Sequence, residues 1–248
     1  MAGFQEVYAT REMGVKGHAN DIPNFSGNFM PEKVILHDHF IADADENDWV
    51  EEDTNGCTTT HSAANGGATI LTLGAVDDDC GEFSHTAQWS AAKNCVMEAR
   101  VHVTVITLVG INVGWVSADM STDDTIAFQL TAGAATLATG PTNDGAAFVF
   151  DTDGTPDVWY CAATKATVDG TPVAATGTRA PVASTFQNLR VALNSDGDAT
   201  FYFNGIAVGF LPTCITAATL LTPYCAVISR TTGAKVLTID RVTCWQDE

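Results

Sequence analysis

Between Val96 and Thr107 the chain alternates with a period of two. Met97, Ala99, Val101, Val103 and Val105 fall on one parity, and Glu98, Arg100, His102 and Thr104 on the other. This is the signature of a strand with one buried and one solvated or lined face. Shorter runs of the same kind predict further strands over Val34 to Ile41, Ala68 to Leu73, Glu82 to Trp89, Asn112 to Ser117, Thr125 to Thr131, Ala146 to Phe150, Val158 to Ala162 and Tyr224 to Ser229. Clusters of Gly, Asn, Asp, Thr and Pro separate them, and no window holds helical spacing over three turns. Leu189, Val191 and Leu193 alternate up to Asn194-Ser195-Asp196-Gly197, and Thr200 to Phe203 follows, which predicts a hairpin turning at the Asp-Gly pair and a second turn at Asn204-Gly205. In the last strand, Lys235 to Trp245, Leu237 and Ile239 share a parity that Val242 and Cys244 do not, so a bulge near Asp240 is expected to switch the inward side. There is no repeat of 20–50 residues, against propellers and solenoids. The pattern predicts an all-β, antiparallel two-sheet sandwich.

Residues 1 to 33 break the pattern. Phe4, Tyr8, Phe25 and Phe29 stand among Gly, Asn and Pro with no sustained period, so this stretch reads as an extended N-terminal arm. Such a segment cannot bury its own aromatics, and these four are the candidate partner contacts, either on the body or on a neighbouring subunit. The remainder, 34 to 248, is of a size and apolar content (46% over 248 residues) that one sandwich can accommodate.

Charge narrows the partners. Eleven Lys+Arg against 30 Asp+Glu give a net charge of −19, which repels phosphate backbones and anionic headgroups, so nucleic acid is not an expected partner. The first twenty residues are polar and mixed in charge, unlike a secretory signal. The most apolar segment, Val101 to Val116, is interrupted by His102, Thr104, Thr107, Gly110, Asn112 and Gly114, and no membrane insertion is expected. The seven cysteines (Cys57, Cys80, Cys95, Cys161, Cys214, Cys225, Cys244) are widely spaced and include no CxxC pair. They read as small buried apolar residues, with one or two bridges open in an oxidising setting.

The stretch NLRVALNSDGDATFYFNGIAVGF, followed by AVISRTTGAKVLTIDRVTCW, resembles the closing strands of concanavalin-A-like jelly rolls, the laminin-G, pentraxin and laminarinase group. The matching positions are Arg190 and Val191, Gly197, Phe201 to Gly205, and Ile239, Asp240 and Val242. The opening HDHFIADADENDWVEED is similar to the start of such domains. Sandwiches of this type with a polar arm and no signal resemble structural proteins of tailed bacteriophages, including capsid decoration proteins. That resemblance implies a virion protein on the capsid surface, made in the host cytoplasm, contacting the major capsid protein and neighbouring copies, with host-surface glycans as a further partner. Fold alone does not carry function, and two alternatives stay open: a lectin-like carbohydrate-binding module and a glycan-cleaving enzyme of laminarinase type.

The residues argue against the enzyme. Retaining glycosidases on this sandwich carry E-x-D-x-(x)-E on one strand, placing both outer carboxylates on one face. No such run occurs on the central strand, where Glu98 is the only carboxylate, beside Arg100, as a cross-strand ion pair requires; the one match to the spacing, Glu46-Asn47-Asp48-Trp49-Val50-Glu51, lies in the acidic stretch that opens the domain. G-x-S-x-G is absent, and no cysteine sits in a basic setting, Cys95 beside Asn94 and near Lys93 being the mildest exception. No catalytic residue, metal or cofactor is assigned. Asp43, Asp45 and Asn47 open like an EF-hand, but Asp48 and Thr54 break it; the acidic stretch to Asp53, and Asp77-Asp78-Asp79, read as solvated loops or at most a looser calcium site. His37 and His39 share one face, too few for a metal without a third ligand. Asn24-Phe25-Ser26 fits a glycosylation sequon. Trp115, Trp159 and Tyr160 are the candidate glycan-stacking residues, on the concave face of the jelly roll, with burial in the core as the competing role.

Overall fold

The computed structural model describes residues 33–40, 49–54, 56–62, 67–117, 125–141 and 143–248. The arm aromatics Phe4, Tyr8, Phe25 and Phe29, the sequon, and Asp43, Asp45, Asn47 and Asp48 lie outside the described residues. Apart from a single 3-10 turn at Ala91–Lys93, the described elements are strands. In chain order they are β1 (Lys33–Asp38), β2 (Trp49–Thr54), β3 (Thr58–Ser62), β4 (Ala68–Thr72), β5 (Cys80–His85), β6 (Val96–Val103), β7 (Val109–Val116), β8 (Gln129–Leu130), β9 (Leu137–Thr139), β10 (Gly145–Asp151), β11 (Tyr160–Lys165), β12 (Val168–Asp169), β13 (Val173–Ala174), β14 (Gln187–Leu193), β15 (Ala199–Phe203), β16 (Ile206–Leu211), β17 (Thr222–Ser229) and β18 (Val236–Asp247).

These form two antiparallel sheets. The first runs β16-β15-β14-β6-β18-β4-β3, with β1 also on β18; the second runs β12-β11-β10-β7-β17-β5-β2, with β13 also on β11. β8 and β9 make a separate two-stranded ribbon. The expected alternation holds: Met97, Ala99, Val101 and Val103 of β6 are buried and the intervening residues only partly so. The hairpin at Asn194–Gly197 joins β14 to β15, and β18 shifts register between Ile239 and Arg241, where the inward side was expected to switch. Thr125 to Thr131 is strand only at Gln129–Leu130.

Between the sheets lies one apolar core, to which β6 gives Met97 and Val101, β14 gives Leu189 and Val191, and β7 gives Ile111, Val113 and Trp115. A second cluster lies on the other side of the second sheet, where Ile126, Phe128 and Leu130 pack on Val149, Tyr160, Ala162, Tyr224 and Ala226. The second sheet is therefore buried on both faces, which is why β7, β10 and β17 are buried along their whole length.

Candidate functional site

The outer face of the second sheet is covered by the chain itself. Residues 125–141, here called the roof, cross it, and at three points of attachment a polar side chain of the sheet satisfies roof backbone. Asn112 on β7 accepts from the Phe128 N–H at 2.7 Å and donates to the Phe128 carbonyl at 3.1 Å, closing a two-bond pair as a neighbouring strand would. Asp151 at the end of β10 accepts from the Leu130 N–H at 2.9 Å. The Tyr224 hydroxyl accepts from the Ala127 N–H at 3.1 Å and donates to the carboxylate of buried Glu82 on β5. Small residues admit the roof: a Cβ on Gly145 would meet the Phe128 ring at 3.0 Å, and one on Gly154 would meet Leu130 Cδ1 at 2.5 Å.

Charge on this face is matched by burial. Arg230 reaches Asp151 twice, Nε to Oδ1 at 3.1 Å and Nη2 to Oδ2 at 2.6 Å, and donates to the Gln129 side chain of the roof at 2.9 Å. Burial alone would lower the Arg230 pKa, but the hydrogen bond and charge of Asp151, with Asp153 and Asp78, hold it above its ordinary value. Desolvation, then the charge of Glu82, pushes Tyr224 well above the usual phenol range. Glu52 of β2 stands directly across from Glu82 on this face, half-buried. Asp151 is thus engaged with the roof and Arg230, and Glu82 with Tyr224, while Glu52 lies at the edge.

The structure corrects the stacking assignment. Trp115, Trp159 and Tyr160 are all buried, at 0%, 1% and 1% exposure, and present no ring face to a ligand. Trp115 and Trp159 point into the inter-sheet core, where their indole N–H groups donate to the Val191 carbonyl and to Gln187, both at 3.1 Å. Tyr160 faces outward but lies in the cluster under the roof, its hydroxyl donating to the Pro156 carbonyl at 2.9 Å. The roof carries no charged residue, and its left-handed glycine, Gly133 (φ +74°), marks a turn without marking a cover, so the sequence pattern left these rings uncovered.

Among the described residues, none covers the outer face of the first sheet as the roof covers the second. Glu98 makes the cross-strand ion pair expected of it, with Arg190 on β14 (Nε to Oε2 at 2.8 Å) and with Arg241 on β18 at 3.6 Å; Arg100 pairs with Asp240 at 2.9 Å. The guanidinium of Arg190 lies 5.5 Å from the Tyr202 ring centre and 5.7 Å from that of Trp245, and Arg100 stacks on Phe186 at 3.9 Å. Tyr202, Trp245 and Phe186 are the partly exposed rings that the sequence reading missed; Arg190 in its R-V pair was the available signal.

Other sequence candidates resolve as local structure. His37 and His39 touch edge to face at 4.7 Å, and the His37 ring bonds to Thr243 at 2.6 Å. Among the described residues no three His, Cys, Asp or Glu side chains converge as metal ligands. All seven cysteines are free thiols, six of them buried. Burial pushes Cys161 up to about 12 and Cys214 up to about 11, away from thiolate chemistry, and Cys95 also moves up.

No family model and no curated protein matches the chain. Solved structures do. The carbohydrate recognition domain of Emp47p is similar over 89% of this chain and 99% of its own, at 14% identity and a TM-score of 0.60. A Bacillus licheniformis β-glucanase covers 84% of this chain and 96% of its own, at 10% identity and a TM-score of 0.59. Peanut lectin covers 86% and 97%, at 12% identity and a TM-score of 0.55. The fold is that of the concanavalin-A-like jelly rolls. At such identities the likeness to these jelly rolls is one of architecture, and it spans lectin and glucanase domains alike.

Proposed function

We propose that this chain is a non-enzymatic binding module, and that it serves as a decoration protein on the outside of a virus capsid. The observation that supports a non-enzymatic role is the roof: among the described residues Asn112, Tyr224 and Asp151 are committed to holding it, so these polar groups of the second sheet are not free to meet a substrate. The decoration role is supported by the sequence, whose arm carries Phe4, Tyr8, Phe25 and Phe29 without a pattern that would bury them, and by the resemblance to phage structural sandwiches. Attachment through such anchors depends on apolar burial, about 1–3 kcal/mol for each ring, rather than on attraction between an acidic body and packaged nucleic acid. The test is co-sedimentation of the full-length protein with undecorated capsids at low and high salt. Retention that survives high salt is expected; failure to sediment with capsids at either salt removes the decoration role.

A second reading, a lectin-like carbohydrate-binding module, is favoured by the neighbours: Emp47p supplies a carbohydrate recognition domain and peanut lectin a lectin of the same architecture. Retardation in gels containing neutral glucans, with no release of reducing ends, would favour it. Reducing-end release that disappears in Glu82→Gln would instead restore the enzyme.

A further inference from the structure

Strand register assembles, on the open face of the first sheet, a row that no segment of sequence displays. Ile35 pairs with Trp245, Trp245 with Val96, Val96 with Ala192, Ala192 with Thr200 and Thr200 with Phe210. Directly paired residues of antiparallel strands project to the same side. These six therefore form one line across β1, β18, β6, β14, β15 and β16, from one edge of the sheet to the other at that end. All six are partly or fully exposed, Phe210 at 56%. A one-sided sheet ordinarily turns polar residues outward. A line apolar at five of its six positions, Thr200 being the exception, across the full width of its solvent side marks an interaction surface.

The flanking rows say what fits it. Beside the line run Arg190 and Glu98, then Arg100 and Arg241, with Asp240 at the bulge. Three arginines face two carboxylates there, near neutrality in a chain of net charge −19. The side chains of Arg100, Arg190 and Arg241 remain about one-third exposed (35%, 36% and 34%). With five donors per guanidinium, each has more N–H groups than its carboxylate partner on this face engages. A strongly acidic partner copy meets less repulsion at this patch than the net charge of the chain would impose on it.

We propose that this face is where a second copy of the chain docks, sheet against sheet about a two-fold axis. The operation lays apolar line on apolar line, and offers each copy's spare guanidinium donors the Glu98 and Asp240 carboxylates of the other, as an isologous contact requires. Six strands at about 4.8 Å spacing and three rows of side chains bury on the order of 1,000 Å² for the pair, the lower limit of specific interfaces. The dimer is therefore weak and concentration-dependent. It goes beyond the reading of function above and is independent of whether a capsid or a glycan is the final partner.

Sedimentation equilibrium of the full-length protein over two decades of concentration tests it. The mass should rise from 26.1 kDa towards twice that value. Added sodium chloride should strengthen association, by screening the repulsion between two acidic bodies. Phe210→Glu, at an exposed position, should weaken association about tenfold or more without moving the unfolding temperature. Ile206→Glu lies on the same edge strand and is equally exposed, but it pairs with core-facing Phe203, so it should leave association unchanged. A monomer at every concentration overturns the proposal. So does a dimer indifferent to Phe210→Glu, or one lost equally in both variants, which would place the contact along the β16 edge instead of the face.

Discussion

The two outer faces of this sandwich use the same chemical groups to opposite ends. Each carries an arginine reaching across strands to a carboxylate: Arg230 to Asp151 on the second sheet, Arg190 to Glu98 on the first. Under the roof the Arg230 and Asp151 side chains are 7% and 0% exposed, whereas Arg190 and Glu98 are 36% and 18% exposed. A buried pair is a structural commitment, because neither partner tolerates loss of the other. An exposed pair is nearly free to be rearranged. The first sheet therefore keeps the surface that can change partners, and the second has given its surface to the chain's own roof.

The sharpest way to break this comparison is to remove both arginines, one at a time. Arg230→Met leaves a buried aspartate facing the roof and should cost about 3–5 kcal/mol in urea unfolding. Arg190→Met should cost about 0–1 kcal/mol. Equal losses would mean that the roof does not exclude water from Asp151. Next in size is Asn112→Ala, which strands the Phe128 N–H and carbonyl in an apolar cluster and should cost about 2–4 kcal/mol. Hydrogen exchange should locate the loss: the amides of Phe128 and Leu130 should exchange faster, while those of β6 and β14 keep their protection. Uniform acceleration across both sheets would contradict the view of the roof as a separately attached layer.

Legibility in the sequence divides along the same line. Strands of the first sheet were readable because one face is wet, so Met97 to Val103 alternate, and even the bulge at Asp240 shows as a change of parity in β18. The second sheet is buried on both faces, and periodicity there says nothing about direction. Trp115 and Tyr160 lie on opposite faces of it, yet in sequence both look like aromatics of half-buried strands. The roof was read as an ordinary strand from Thr125 to Thr131, because Ile126, Phe128 and Leu130 do alternate; that they lie over a sheet instead of within one depends on Asn112, sixteen residues earlier than Phe128. The line from Ile35 to Phe210 was invisible for a related reason. It takes one residue from each of six strands, and only their register brings those residues side by side.

The smallest expected effect belongs to the open face, and it tests whether that face is as indifferent to its charges as its exposure suggests. His102 lies there beside Arg100, its ring edge-on to Phe186 at 4.4 Å, with Asp240 of β18 the carboxylate facing it. Partial burial, then the charge of Arg100, lowers its pKa below the ordinary 6.5, against weaker upward pulls from the Val103 backbone and Asp240. The folded state therefore binds a proton less readily than the unfolded chain. The associated stability is fully present above the unfolded value and is lost as pH falls from there through the folded pKa. In His102→Gln that part of the pH dependence should vanish, so the difference in urea midpoint between neutral and mildly acidic buffer should be smaller in the variant than in the wild type. Carboxylates that titrate lower contribute equally to both proteins and cancel. Identical pH slopes would show that the ring is hydrated in the folded state and that the open face holds no buried titrating group at that position.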